Sequence, residues 1–300
     1  AASFVVIKEI NSMEEQRSFE RLYEEAEALA ENIERFAAND REELEMLSAV
    51  VAEYEDFASS DLWKILDSYE SVGMMSRLEI LLPDNTVIRN GGQRTDAKGQ
   101  LSFEEEAALG AHITNRETDL DREDSYIVRH YVPIIKDRET AALLYGVIEL
   151  GSLPEELIGQ PYSGEAAIYI IDGNTGDFLV DTWHEESGNI WALGERKMAA
   201  GYNHEQLKQG LIDGKTGYVV FVSETIGAYL YFYYMPMGIN EWRVALSVPE
   251  SIVFENADRI ENILNLFLLF EGICFILYFL WMLRYVTRET GEKQRQLDMI

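Results

Sequence analysis

The chain has 300 residues, 47% of them hydrophobic, and a formal net charge of −29 from 54 acidic and 25 basic residues. Five of the acids and four of the bases lie beyond Ile260, which leaves 49 acids and 21 bases before it. So acidic a surface repels nucleic acid and anionic lipid, which excludes nucleic-acid binding, and the length leaves room for two domains. The single cysteine, Cys274, excludes a disulfide framework, so everything before it must hold together by core packing.

The chain opens on AASFVVI, an apolar run ending at Lys8. It reads as the tail of a first transmembrane helix, with a clipped signal peptide as the alternative. Phe19, Leu22, Ala26, Leu29, Ile33 and Phe36 then recur at spacings of three and four. This predicts a coiled-coil seam or a long packed helix. Asn39-Asp40 is expected to interrupt it, and Asp40 with Glu43 has the form of a capping box that restarts a helix through Leu44, Leu47, Val51, Tyr54 and Ala58. Ser60-Asp61 opens a third helix and Gly73 ends it. Residues 9–72 are therefore expected to form a helical stalk.

Next, RLEILLPDNTVIRNGG predicts two strands joined at Pro83-Asp84-Asn85. Ser102 opens a short helix. Tyr126 to Ile135 and Ala141 to Leu150 are strands joined at 136–139. A second group follows the same plan. Ala166 to Ile171 and Asp177 to Asp181 flank the turn Asp172-Gly-Asn-Thr-Gly176, and a helical, glycine-punctuated segment spans 183–210. Strands are predicted at Gly217 to Ser223, Ala228 to Met235 and Glu241 to Val248. The fold class is α+β: a long N-terminal helical stalk, two tandem antiparallel-sheet units and a C-terminal transmembrane helix.

That last element is Ile263 to Leu283, ILNLFLLFEGICFILYFLWML, long enough as a helix to cross the roughly 30 Å hydrocarbon core of a bilayer. Trp281 and Tyr285 stand where interfacial aromatics belong, and Arg284, Arg288, Lys293 and Arg295 mark the cytoplasmic side. Residues 9–258 are thus expected outside the membrane and 285–300 inside. A carboxylate at mid-bilayer is expensive, so Glu271 is expected to be protonated or paired, with Asn265 and Gly272 making a helix–helix contact in a homodimer.

No catalytic motif stands in the chain, and the four histidines, His112, His130, His184 and His204, lack metal-ligand spacing. Neither a cofactor nor a metal is expected. Asp172-x-Asn174-x-Gly176 lacks the closing glutamate of a calcium loop and reads as a hairpin turn. Arg77, Arg129 and Tyr131, with Tyr145, are the ligand candidates in the first sheet unit: arginine offers a fork to a carboxylate, and tyrosine closes over the ligand. The alternative is that these arginines pair with nearby surface acids. Asp181, Trp183, His184, Tyr231 and Tyr233 are candidates for a second pocket, or else core aromatics with hydrogen-bonded tips. Strand alternation puts Tyr231 and Tyr233 on one face and Tyr234 on the other.

Several stretches carry a family resemblance: the helix 41–72, Leu78-Glu-Ile-Leu-Leu-Pro-Asp-Asn85, Tyr131-Val-Pro-Ile134 and Leu144-Tyr-Gly-Val147. Later ones are Tyr169-Ile-Ile-Asp-Gly173, Gly176-Asp-Phe-Leu-Val-Asp-Thr-Trp-His184 and Pro236 through Trp242-Arg-Val-Ala-Leu-Ser-Val-Pro249. With them the chain resembles the double Cache sensors, tandem PAS-like extracytoplasmic units, and most of all the sensor regions of clostridial-type GGDEF diguanylate cyclases. The resemblance implies a bacterial membrane receptor with 73–151 as the membrane-distal PAS-like unit and 152–258 as the proximal one. It also implies a transmembrane helix at 259–285, a signalling helix from 286 and truncated ends. It implies a small-molecule ligand in the distal unit, a lipid bilayer around the span, a homodimer and a cyclic di-GMP output. A histidine kinase or a non-enzymatic chemoreceptor are the alternative outputs. The Arg-x-Trp-Tyr core of the family's amino-acid-binding subset is absent, so the resemblance leaves the ligand open.

Overall fold

Helix α1 runs unbroken from Ala2 to Ala52. The computed structural model describes residues 2–70, 73–122, 124–153, 155–184, 188–192, 196–223 and 227–297. Ala1 and the side chains of 2–9 fall outside that description, and with them the expected first membrane segment. The helical spacing read from Phe19 holds as far as Val51, but Tyr54 and Ala58 fall past the end of α1, and the expected break at Asn39-Asp40 is absent. Asp40 is 0% exposed in mid-helix, and both its oxygens accept the Met74 N–H, at 3.2 and 3.0 Å. A partner 34 residues away takes the carboxylate that a capping box would have used locally, and α1 continues through it. Leu22, Ala26, Leu29 and Ile33 are buried by this same chain. The seam is therefore consumed inside one molecule.

Helix α2, Ser60–Leu66, opens at Ser60 as expected, with the Ser59 side chain accepting the Leu62 N–H as its cap. It ends at Leu66, well short of Gly73. The first sheet then assembles β1 (Arg77–Leu81), β2 (Thr86–Arg89), β3 (Gln93–Asp96), β4 (His112–Ile113), β5 (Glu117–Thr118), β6 (Tyr126–Lys136) and β7 (Glu139–Glu149). Its order is β3-β2-β1-β7-β6-β4, with β5 also on β6, and every pairing is antiparallel. The β1–β2 turn needs Asn85 at a φ of 66°, a conformation asparagine tolerates. Helix α3, Phe103–Leu109, is capped by Ser102.

After the short helix α4 (Glu155–Ile158) comes the second sheet: β8 (Ala167–Asp172), β9 (Phe178–Asp181), β10 (Gly217–Ser223), β11 (Ala228–Pro236) and β12 (Trp242–Pro249), in the order β10-β11-β12-β8-β9. Asp172 holds the β8–β9 turn by accepting the Asn174 and Thr175 N–H groups, at 2.8 and 3.1 Å. The described residues of the segment expected as helix over 183–210 are irregular up to Asn203. They become helical only at α5, His204–Ile212, capped by Asn203. Gly201, at a φ of 95°, serves in a turn before it.

Each sheet turns one face to α1. On the first, His130 lies in the field of Arg41 and Glu45. On the second, Tyr233 lies in that of Tyr23 and Glu27, and the Gly238 N–H donates to Glu34 at 2.6 Å. The opposite faces differ in chemistry. The second sheet's is filled by Tyr169, Ile171, Phe178, Phe232 and Tyr234 packed with Leu207 and Leu211 of α5. The first sheet's is part apolar, beneath Leu101, Phe103 and Ala107, and part charged.

Two helices follow: the short α6 (Glu250–Val253), and the long α7 (Glu255–Leu297) after a break at Phe254. The chain divides into two compact units, Ala1–Arg21 with Ser251–Ile300, and Leu22–Glu250. In the first, Phe19 meets Phe254 edge-on at 5.7 Å. Within α7, Glu255–Arg288 is long and apolar enough to cross a membrane: an 18-residue window of it has a mean hydropathy of 2.3 and is uncovered among the described residues.

Candidate functional site

Register places one row of side chains across five strands of the first sheet. Arg89 stands opposite Glu79, Glu79 opposite Tyr145, Tyr145 opposite Tyr131, and Tyr131 opposite His112. The next row aligns Arg77, Val147 and Arg129. Directly opposed residues share a face, and so do residues two apart on a strand. Arg77, Arg129, Tyr131 and Tyr145 therefore all project from the face away from α1.

The contacts along the row are continuous. The Tyr145 hydroxyl donates to Glu79 Oε2 at 2.5 Å, the Tyr145 and Tyr131 rings lie 4.7 Å apart, and Tyr131 stacks on His112 at 5.2 Å. Burial raises the pKa of both phenols, so they stay protonated. His112 faces an acceptor at each ring nitrogen, the Gly110 carbonyl at 2.8 Å and Glu106 at 2.7 Å. Only the imidazolium can donate to both. Burial works against that charge, but the hydrogen bonds to Glu106 and the Gly110 carbonyl raise the His112 pKa above its ordinary value.

The arginines are committed within the protein. Arg77 donates through Nε to Glu79 at 2.9 Å, through Nη1 to Glu149 at 2.9 Å and through Nη2 to Asp119 at 2.8 Å. Arg129, 2% exposed, pairs with Glu117. Burial pushes the Glu117 pKa up although the Arg129 charge opposes this. Among the described residues, Arg129 Nε and the hydroxyl of fully buried Tyr131 on this face meet no hydrogen-bond partner.

Beside the row lies a cleft of about 690 Å³, a volume that suits a small organic ligand. Arg77, Glu79, Arg89 and Asp121 form its polar wall, and Leu66, Tyr69 and Met75 the apolar one. Glu79, Arg89, Glu117, Asp119 and His112 were not anticipated as site residues. The alternation Arg77-x-Glu79 on a strand was signal enough for Glu79, whereas the others depend on pairings that sequence spacing does not show.

The strap Ile113–Glu117 joins this site to the second sheet. His112 and Glu117 flank it on the site side. At its centre Arg116 stacks over Tyr126 at 4.4 Å, donates to the Phe178 and Gly188 carbonyls at 3.0 and 3.2 Å, and pairs with Asp177 at 2.7 Å. Asn115 Oδ1 accepts the Trp242 indole N–H at 2.9 Å, and Asn240 donates to the Ile113 carbonyl at 2.9 Å.

The five residues expected around a second pocket are not brought together. Asp181 pairs with Tyr169, which stands opposite Ala245, which stands opposite Tyr234. Asp181 thus shares the Tyr234 face, and Tyr231 and Tyr233 project from the other one, as alternation required. Asp181 accepts the Trp183 and His184 N–H groups and meets His184 Nδ1 at 2.6 Å, while the Trp183 ring is 64% exposed. Asn265, Glu271 and Gly272 lie in the apolar part of α7, with Asn265 and Gly272 two turns apart on one stripe.

No family's sequence profile matches the chain, and no curated protein matches it. Solved structures do. The ligand-binding domain of the Pseudomonas aeruginosa PAO1 amino acid chemoreceptor PctB, in complex with L-Arg, is 12% identical and has a TM-score of 0.55; the match covers 77% of this chain and 94% of that one. The sensory domain of the Campylobacter jejuni chemoreceptor Tlp3 with isoleucine bound is 12% identical over 81% of this chain and 97% of that one, with a TM-score of 0.56. The extracellular domain assigned to histidine kinase mmHK1S-Z3 is 14% identical over 80% and 98%, with a TM-score of 0.52. At these identities the comparison shows a shared fold, that of extracellular sensory domains.

Proposed function

We propose that this chain is the extracytoplasmic sensing and membrane-spanning part of a bacterial receptor, and that its ligand is a small molecule held on the first sheet. The observation that carries this is the row Arg89–Glu79–Tyr145–Tyr131–His112 beside a 690 Å³ cleft. It lies on a fold shared with domains solved as complexes with arginine and isoleucine. In this reading 73–151 is the membrane-distal sensing unit and 152–258 the proximal one, 259–285 spans the bilayer, and the arginines and lysine after Leu283 hold the far side in the cytoplasm. Arg77, Arg129, Tyr131 and Tyr145 are its ligand-facing residues. Ligand binding biases two arrangements of the strap, and Asn115 and Arg116 pass the shift to the second sheet. Asn265, Glu271 and Gly272 make the helix contact of a homodimer.

The finer reading, control of a GGDEF diguanylate cyclase, rests on the sequence resemblance. The similar folds of chemoreceptors and histidine kinases support the other two outputs, and codons past Ile300 would distinguish them. The sensing claim is tested on the full chain in detergent micelles, by thermal shift against organic acids, amines and nucleobases. Hydrogen exchange is then measured with each compound that stabilises. Protection is expected in Arg77–Leu81, Tyr126–Lys136 and Glu139–Glu149, spreading to Phe178–Asp181. Protection confined to Gly217–Pro249 would contradict the assignment.

A further inference from the structure

The geometry points to an organic ammonium ion, rather than a carboxylate, as the chemical class that the cleft takes. This rests on the first sheet being the sensing site. Both guanidinium groups in the cleft wall are already engaged: Arg77 by Glu79, Glu149 and Asp119, and Arg89 by Asp121 at 2.6 Å and Thr95 at 3.0 Å. An incoming carboxylate would have to displace a protein carboxylate from each fork. Two of those, on Glu79 and Asp119, have side chains only 1% exposed.

The charge balance favours a cation. Glu79, Asp119, Asp121 and Glu149, with Asp67 and Glu70 on the cleft wall, face Arg77, Arg89 and Arg122, which reaches Glu149 at 3.3 Å. Six carboxylates against three guanidinium groups leave a negative field, and a concave site concentrates it. The shape excludes a bare metal ion as the fitted occupant, because the volume is that of a small organic molecule and Leu66, Tyr69 and Met75 supply apolar wall. The Tyr69 ring adds a face on which an ammonium group can rest.

The test is a matched pair series on the full chain in micelles at fixed ionic strength. Putrescine, tyramine and phenethylamine are titrated beside succinate, 4-hydroxyphenylpropionate and 3-phenylpropionate. At least one amine is expected to raise the melting temperature and to protect Arg77–Leu81 from exchange, and its acid counterpart to do neither. Glu70 is exposed, so Glu70→Lys should fold normally and weaken the amine about tenfold, the loss of about 1.4 kcal/mol of attraction; Glu79→Gln should weaken it further. An acid that protects Arg77–Leu81 would overturn the charge assignment and leave the sensing site standing. An amine whose protection falls on the second sheet would instead sink the site. No response to any amine, or amine binding unmoved by both variants, would also overturn the proposal.

Discussion

Replacing Arg77 by alanine is expected to destabilise the sheet-bearing part of the chain by about 3–5 kcal/mol, the usual result of removing one partner from a buried ion pair. Arg77 is the shared cation of Glu79, Asp119 and Glu149, and its own side chain is 30% exposed while those of Glu79 and Asp119 are 1% exposed. Alanine would leave two buried carboxylates with only a distant cation each, Arg89 at 3.9 Å from Glu79 and Arg122 at 3.9 Å from Asp119. A melting temperature about 10 °C lower is the expected readout. Lysine should recover little, because one ammonium cannot reproduce three fork contacts. Adding Glu79→Gln to Arg77→Ala should restore part of the loss, since it removes one of the stranded charges.

The pH dependence has a definite sign. Burial works against the Asp119 charge, but the Asp121 N–H and the Arg77 guanidinium hold its pKa below the ordinary carboxylate value. A depressed carboxylate pKa contributes stability that is present above the unfolded value and lost as pH falls through the folded one. The gap between wild type and Arg77→Ala should therefore be full near neutrality and narrow in acid. A loss under about 1 kcal/mol, or a gap that widens in acid, would contradict this account of the network.

The second large effect is expected at Asp40. Its carboxylate accepts the Met74 N–H just before β1, and Asp40→Ala would leave that buried donor unpaired beside a void. About 2–3 kcal/mol should be lost. Asp40→Asn keeps an acceptor and should lose less than half as much. Gly73 belongs to the same junction, because a Cβ there would sit 1.7 Å from Asp40 Oδ1. If hydrogen exchange showed Arg77–Leu81 opening no more readily in Asp40→Ala than in wild type, the anchoring role would be wrong.

Asp40 also shows where sequence reasoning stops. Spacing at three and four from Phe19 onward is a local signal, and it found the helix. A capping box is local too, but its aspartate can be claimed by any donor the fold brings near, and here that donor is Met74. The long apolar strands Tyr126–Lys136 and Glu139–Glu149 were legible for the same reason the helix was, as were the turns at Pro83-Asp84-Asn85 and Asp172–Gly176. β3, β4 and β5 were not: Gln93–Asp96 is polar throughout, and two-residue strands carry no period.

The site was legible in its long side chains and hidden in their pairing. Arg77, Arg129, Tyr131 and Tyr145 could be named as candidates because arginine and tyrosine on strands are conspicuous in so acidic a chain. That they share one face, and that Glu79, Asp119 and Glu117 occupy the arginine forks, follows from register between strands up to 70 residues apart. The second set failed on the same count, because gathering Asp181 with Tyr231 and Tyr233 required ignoring which face each strand turns outward.

The most direct test of the whole account is which side of the membrane the sheets occupy. Gln206 is exposed on α5, and with Cys274→Ser removing the one native thiol, Gln206→Cys supplies a single reporter. Intact cells expressing the full chain should react with a membrane-impermeant maleimide as completely as lysed cells do. Labelling that begins only after lysis would place the acidic sheets inside and overturn the receptor reading.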